Sequence, residues 1–236
     1  MARVVILSGA GISAESGIST FRDSGGLWEE YDISVVCNYD SLEKNEDITI
    51  EFYDKRRAEI EDKEPNYAHK VIKELKDRFK NDIAVITQNV DNLFEKAGMS
   101  AEDVIHLHGF MPTVRCRDGA CAKVYDIGYK PLNSLNDGEC PECGEKLRPN
   151  IVFFGEAAPM YERLNAEIKE CEFFVVIGTS GNVIEVNSIA AFCDYSILNN
   201  LEPSSAIAER DFSKVIYDKA SNAIDVIAED IEAFLA

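Results

Sequence analysis

Near the amino terminus a short apolar, largely β-branched run, Arg3–Leu7, leads straight to Gly9. A run this short, with no polar face, reads as a strand buried on both sides, the setting of a parallel sheet. The next residues, Gly9-Ala-Gly11-Ile-Ser-Ala14, fit the pattern G-x-G-x-x-G/A, and a helix is expected to begin over Ser13–Gly17. Glycines there let the backbone approach a pyrophosphate, and a helix N-terminus favours its negative charge. A tight strand-to-helix turn uses the same residues, so the pattern alone assigns no ligand. A dinucleotide-binding fold also expects an acid about 20 residues on, at the end of a second strand. Glu29 and Glu30 lie near that distance, but no strand precedes them.

The alternation continues along the chain. Asp32–Glu64 is charged and helical in pattern, with Ile48, Phe52, Tyr53 and Ile60 expected to point inward. Asn66–Phe79 reads as an amphipathic helix through Ala68, Val71, Ile72 and Leu75. Ile83–Thr87 is the next strand, Val90–Ala97 a short helix closed by Gly98, and Val104–Leu107 a strand leading to His108. Strands are expected again over Asn150–Phe154 and Phe173–Gly178, with helices over Met160–Cys171 and Val186–Cys193. Ser196–Leu198 and Ala223–Ile227 give weaker signals. Strands alternating with helices predict an α/β fold, a Rossmann-like doubly wound parallel sheet. From Phe110 to Leu147 the texture changes to Gly, Pro, Asp and Cys, which predicts an inserted module.

A chain of 236 residues suits one large α/β domain with a small satellite. Its net charge of −19 opposes nucleic-acid binding, which needs clustered Lys and Arg. It suits either attraction of basic, lysine-containing peptides or solubility alone. No apolar run approaches the ~20 residues of a membrane span. Met1-Ala-Arg runs directly into a strand, so no signal peptide, no membrane partner and a cytoplasmic location are expected. Of seven cysteines, Cys116-x4-Cys121 and Cys140-x2-Cys143 form two close pairs. Four thiolates match tetrahedral structural zinc, with no position left open for catalysis. Iron, or a redox pair, is the alternative. Gly119 and Gly144 are expected to permit the tight turns. Cys37, Cys171 and Cys193 read as buried thiols.

Thr87-Gln88-Asn89-Val90-Asp91 puts amides and a carboxylate at a strand's carboxyl end, where an open α/β sheet meets its ligand. Asn89 or Asp91 could equally cap the helix that follows. His106 and His108 alternate along a strand end and are expected to face opposite ways, one into a cleft and one into packing. Histidine suits general-base work because its ordinary pKa of ~6.5 leaves neutral imidazole at cellular pH. Tyr53 and Arg56, three apart, are neighbours on one helix face. Their hydroxyl and guanidinium could receive a carboxylate; the plainer reading is a surface helix in which Arg56 pairs with Glu59 or another acid.

Together, Ser8–Arg22, Thr87–Asp91, His106-Leu-His108-Gly109 and the four paired cysteines resemble the sirtuins, NAD-dependent protein lysine deacylases, from about Val4 to Ala220. The resemblance implies NAD and one structural zinc as cofactors. It implies NAD contacts from Gly9, Ala10, Gly11 and Ile12, and a cofactor loop in which Phe21 covers the nicotinamide ribose face. Arg22 would sit near the phosphates, and Trp28 closes that loop segment. Gln88 would meet the ribose, and Asn89 and Asp91, with Val90 between them, the nicotinamide carboxamide. Gly178, Thr179 and Ser180 resemble a second phosphate turn. Asn200, Leu201 and Glu202 resemble the adenosine-ribose segment, and Ala220 would lie near adenine. His108 would be the base, with Asn89 the second catalytic residue and His106 structural. The strand edge at Phe154, Gly155 and Glu156 would pair with substrate backbone.

Tyr53 and Arg56 resemble the pair of the class that removes succinyl and malonyl groups, and Ser24 stands where that class keeps space for a larger acyl chain. The implied fold has a large domain (1–27, 66–110, 148–236) and a small one (28–65, 111–147). The implied reaction removes succinyl or malonyl, and also acetyl, from protein lysines, giving nicotinamide and O-acyl-ADP-ribose. Acylated-lysine proteins or peptides are the expected partners, and a monomer the expected state. Two readings of other classes stay open: an ADP-ribosyltransferase or NAD hydrolase on the same scaffold, and a non-catalytic NAD-binding sensor. Val183-Ile184-Glu185-Val186 and Asp218-Lys219 depart from the sirtuin pattern.

Overall fold

The computed structural model describes residues 2–20 and 31–236. Phe21, Arg22, Ser24, Trp28, Glu29 and Glu30 lie outside the described residues. The strands are β1 (Val4–Ser8), β2 (Ile83–Thr87), β3 (Val104–His106), β4 (Gly109–Cys116), β5 (Val124–Asp126), β6 (Leu147–Ile151), β7 (Phe173–Ile177), β8 (Tyr195–Asn200) and β9 (Lys214–Tyr217). Among the described residues the helices are α1 (Gly11–Ala14), α2 (Ile33–Val36), α3 (Tyr39–Leu42), α4 (Glu46–Glu59), α5 (Tyr67–Phe79), α6 (Leu93–Lys96), α7 (Tyr161–Ile168), α8 (Val186–Phe192) and α9 (Ala220–Leu235).

Six strands form one sheet in the order β3-β2-β1-β7-β8-β9, with every neighbouring pair parallel. Every residue of β1, β2 and β7 is buried, because both faces are covered. Val4, Ile6, Ile83, Val85 and Val175 pack with residues of α5 and α9. Their alternates Val5, Leu7, Ala84, Ile86 and Val176 pack with residues of α7 and α8. Strand order reverses between β1 and β7, and a doubly wound sheet opens a crevice at the carboxyl ends of strands there. The second strand of this half arrives only at Ile83, because residues 31–65 intervene.

Elsewhere the structure redraws the expected elements. Asp32–Glu64 is three helices, since Asp32 and Asn38 accept hydrogen bonds from Ser34 and Asp40 backbone N–H groups and start new ones. On α4 the buried stripe is Thr49, Phe52, Tyr53, Arg56 and Arg57. Ile48 falls off that stripe and is 42 % exposed, contrary to expectation. The expected strand Asn150–Phe154 is β6, shifted toward Leu147, and it pairs antiparallel with β4 outside the main sheet. Ala223–Ile227 lies inside α9. Strand β9 carried no clear signal because it is short, half-exposed and at the sheet edge.

Two smaller apolar clusters lie away from the sheet. One joins Val36, Leu42, Phe52, Tyr53 and Ile60 to Met111 and Phe153. The other joins Val114, Ile127, Leu132 and Leu147 to Cys116 and Cys140. Fully buried Arg57 ties them: Nε donates to the Met111 carbonyl at 2.9 Å, and Nη1 pairs with Asp54. Asp54 in turn accepts the Leu132 N–H at 3.0 Å. Replacing Arg57 with Leu strands these acceptors, and should cost about 2–4 kcal/mol. At ~2–4 °C per kcal/mol for a chain of this size, thermal denaturation would show a clear fall in Tm. An unchanged Tm would mean the tie carries no stability.

Candidate functional site

Two turns interlock where the strand order reverses. The Gly9 N–H donates to the Ile177 carbonyl at 2.9 Å, and the Gly11 N–H to the Gly178 carbonyl at 2.8 Å. A Cβ on Gly9 would sit 2.7 Å from the Gly178 oxygen, and one on Gly11 2.6 Å from the Gly178 Cα. Gln88 joins them, its N–H on the Ser8 carbonyl and its Nε2 on Thr179 Oγ1 at 3.0 Å. Asn200 fixes the second turn: Oδ1 accepts the Thr179 N–H, and Nδ2 donates to the Thr179 carbonyl.

These strand ends open on a cavity of about 990 Å³. That matches the upper part of the ~300–1,000 Å³ range of small-molecule sites. Gly9, Ala10, Gly11, Gln88, Asn89, Val90, Asp91 and His108 line it, with Gly178, Thr179, Ser180, Asn200, Leu201, Glu202 and Ala220 opposite. Bare backbone at two glycine turns, room for a long ligand, and amide and carboxylate groups at one end fit a dinucleotide. Ile12 is a correction: its side chain is fully buried in the core under the sheet, because the first helical turn points it inward.

His108 Nδ1 lies 3.0 Å from the Gln88 carbonyl, so Nδ1 carries the proton. Nε2 is then a lone pair on the cavity side, 3.0 Å from the Tyr161 hydroxyl that donates to it. Burial pushes the His108 pKa down, only partly offset by the Gln88 bond. The ring is therefore neutral near pH 7, as a base must be. His106 faces elsewhere, with Nδ1 on the Asn89 carbonyl and Nε2 on Glu95, both at 2.9 Å. The two histidines do diverge, but not by strand alternation, since residues i and i+2 of a strand share a face. Strand β3 stops at His106, and the turn through Leu107 swings His108 away.

Two contributors escaped the sequence reading. Buried Ser13 donates to Asp91 Oδ2 at 2.9 Å and accepts from Asn89 Nδ2 at 3.1 Å, fixing both side chains. Its place inside the glycine segment was the available signal. Tyr161, the first residue of α7, is 53 positions from His108, and no spacing rule links them. Asp91 also accepts the Leu93 N–H, so it caps α6 while lining the cavity. Burial raises its pKa against those bonds.

The far end of the cavity is apolar, with Ile18, Phe52, Ile60, Met111 and Phe153 around Tyr53 and Arg56. Tyr53 stacks on Phe153, ring centroids 5.4 Å apart, and its hydroxyl donates to Cys37 Sγ at 3.5 Å. Arg56 does pair with Glu59, at 2.8 Å, but it is 6 % exposed and faces the cavity rather than open solvent. The expected substrate edge, Phe154, Gly155 and Glu156, lines the cavity and also makes bonds within the protein. Phe154 gives its N–H to the Cys37 carbonyl and accepts the Tyr39 N–H. Glu156 bonds Arg148 through both oxygens, at 2.6 and 2.8 Å, and also Arg115 and the Phe153 N–H. Burial raises its pKa, but Arg148, the Phe153 N–H and Arg115 outweigh that and hold it low. Glu156 is thus a loop clamp that also lines the cavity, beside Phe154 and Gly155. Gly155, at φ +90, is the open position of the three.

The sulfurs of Cys116, Cys121, Cys140 and Cys143 all lie within 4.8 Å of one another. Cys116 and Cys143 are 3.5 Å apart, and Cys121 and Cys140 3.7 Å. Four thiolates on zinc at ~2.3 Å would stand about 3.8 Å apart, so the set fits a closed structural site. Gly144 takes the left-handed turn at φ +75, whereas Ala122 at φ +48, not Gly119, makes the other. Of the remaining thiols, Cys37 and Cys171 are buried; Cys193 is only partly so, and touches Cys171 at 3.5 Å.

The sequence pattern of the Sir2 family matches residues 9–185. A protein of Campylobacter jejuni (strain RM1221) named NAD-dependent protein deacylase is 46% identical over 236 residues, covering 100% of this chain and 98% of that one. Its counterpart of the same name in Helicobacter hepaticus is 41% identical over 259 residues, covering 99% of each. A solved complex of a Sir2 homologue with NAD superposes with a TM-score of 0.81 at 32% identity, over 99% of this chain and 90% of that one. Elemental analysis of the purified chain should find about one zinc per molecule, and Cys140→Ala should lower both the metal content and the Tm. A folded chain with no bound metal would remove the zinc assignment.

Proposed function

The chain belongs to the Sir2 family, and from that premise we propose that it is an NAD-dependent protein deacylase that prefers lysines bearing a short acyl chain ending in a carboxylate. One observation carries the reading. The His108 Nε2 lone pair, both glycine turns and the buried Arg56 guanidinium open on the same cavity. The turns would receive the pyrophosphate, and Asn89 and Asp91, held by Ser13, the nicotinamide end. When bound, NAD supplies the ribose carbon that takes up the acyl oxygen. His108 Nε2 would accept the proton of a ribose hydroxyl, with Tyr161 yielding the position its own hydroxyl holds. The Gln88 carbonyl would keep the proton on Nδ1 throughout, so that Nε2 alone accepts. One water would be consumed in breaking the acyl–nitrogen bond, and free lysine, nicotinamide and O-acyl-ADP-ribose would leave.

The apolar end excludes water from the acyl chain, which strengthens any charge–charge contact there. Arg56 would offer its fork to a succinyl or malonyl carboxylate, in competition with Glu59, and the Tyr53 hydroxyl would turn from Cys37 to the same group. An acetyl group is small enough to enter too. The helical and zinc-bearing segments, 28–65 and 111–147, would act as one small body closing over the sheet.

Initial rates with succinyl- and acetyl-lysine peptides of one sequence, with product masses, test this reading. Arg56→Met should lower succinyl kcat/KM about 10- to 100-fold and leave acetyl within a few-fold. Equal losses on both would return Arg56 to a structural role. His108→Ala should lower turnover ~10²–10⁴-fold while NAD binding persists. Because burial depresses the His108 pKa, activity should fail only as pH drops below the ordinary histidine midpoint of ~6.5. ADP-ribose appearing on protein or free, without acyl-ADP-ribose, would move the assignment to a transferase or hydrolase.

A further inference from the structure

His106 has acceptors at both ring nitrogens. The Asn89 carbonyl at Nδ1 cannot donate, and the Glu95 carboxylate stands at Nε2. With Glu95 ionised, satisfying both requires two N–H groups, hence an imidazolium. Among the described residues, the charged groups acting on the ring are Glu95 of α6 and Asp91 of the loop after β2, both acidic. From β4 comes the Phe110 ring, at 4.8 Å between centroids, and from β2 Thr87, its parallel partner. The contact that matters is the one to Asn89. Its carbonyl is held by His106, its N–H by Thr87 Oγ1, and its side chain by Ser13, so the whole residue is fixed.

We propose that His106 is a positioning residue: a buried imidazolium paired with Glu95 that holds the Asn89 carbonyl, and through it the Gln88–Asp91 loop that lines the cavity. Two histidines two positions apart then need opposite charge states. Burial pushes the His106 pKa down, but Glu95, the Asn89 carbonyl and Asp91 outweigh it and the net shift is upward. His108 is shifted downward. A raised pKa means that the His106 contribution is complete below its unfolded value of ~6.5 and is lost as pH rises through the folded value. A lowered pKa means that His108 function is lost as pH falls. The working pH window lies between the two.

The kinetic part rests on the deacylase reading, whereas the charge state does not. The chain has three histidines, and buried His69 is pushed down to about 4. NMR of the histidine-labelled full chain should therefore show one doubly protonated ring at pH 7, absent in His106→Gln. Glu95→Gln should lower that ring's midpoint by about 1–3 pH units. The alkaline limb of kcat/KM on an acyl-lysine peptide should move down with it, while the acid limb stays. A neutral His106 ring at pH 7, or an alkaline limb that does not move in Glu95→Gln, would overturn the proposal. If the chain shows no deacylase activity, that reading fails, and the ring titration with the 88–91 amide shifts still decides this one. If Glu95→Gln does not fold, the titration of the unaltered chain decides.

Discussion

Everything at the site depends on backbone meeting backbone between Gly11 and Gly178. A side chain at either place would force β1 and β7 apart at their carboxyl ends, and those two strands carry the centre of the sheet. The two turns therefore form one rigid floor, to which Gln88 and Asn200 add cross-ties by hydrogen bonds. A floor made of main chain lets a ligand approach where a Cβ would block it, while the Gly9, Gly11 and Thr179 N–H groups hold the two turns together. It also explains why polar side chains in these segments are spent on holding loops. Asn200 serves Thr179, and Ser13 serves Asn89 and Asp91.

One strand end shows how far environment governs residue type. His106 and His108 have the same chemistry in sequence. One is locked between two acceptors, and the other between a carbonyl and a hydroxyl. Opposite shifts at such short range are a pattern by which enzymes hold one group charged and another neutral at the same pH. The divergence arises from the place where β3 stops, a matter of one residue.

The parallel sheet, its strand cores and the cysteine cluster could all be read beforehand, because each rests on a local rule. Buried strands are short and apolar, and metal knuckles repeat at close spacing. What failed was mostly long-range. The clamp made by Glu156 was missed because nothing nearby in sequence announces Arg148 and Arg115 as partners of one carboxylate. Tyr161 sits on an unremarkable helix start, and only the fold carries it to His108. Ile48 misled because α4 buries Arg56 and Arg57 in its stripe, so apolarity did not mark the inward face. Ile12 belonged to the glycine motif by position, yet the turn points it into the core.

Burying two arginines side by side on α4 is costly, and the helix distributes that cost between two tasks. Arg57 Nε and Nη1 donate to main-chain carbonyls and Asp54, which locks the helix against the segment carrying the cysteine cluster. Arg56, one residue earlier, is turned by about 100° around the helix and faces the cavity. The placement of the second follows from the fixation of the first, since a rocking helix would move a guanidinium by ångströms and forfeit a bidentate contact. Glu59 then has a use beyond simple pairing. A carboxylate already on Arg56 neutralises the buried cation, and on the proposed reading it would do so whenever the acyl end is empty. On the proposed reading, a carboxylate-bearing substrate would exchange one anion for another, whereas an acetyl group would leave the resting pair undisturbed. By that argument, discrimination at this end would depend on how readily Glu59 is displaced.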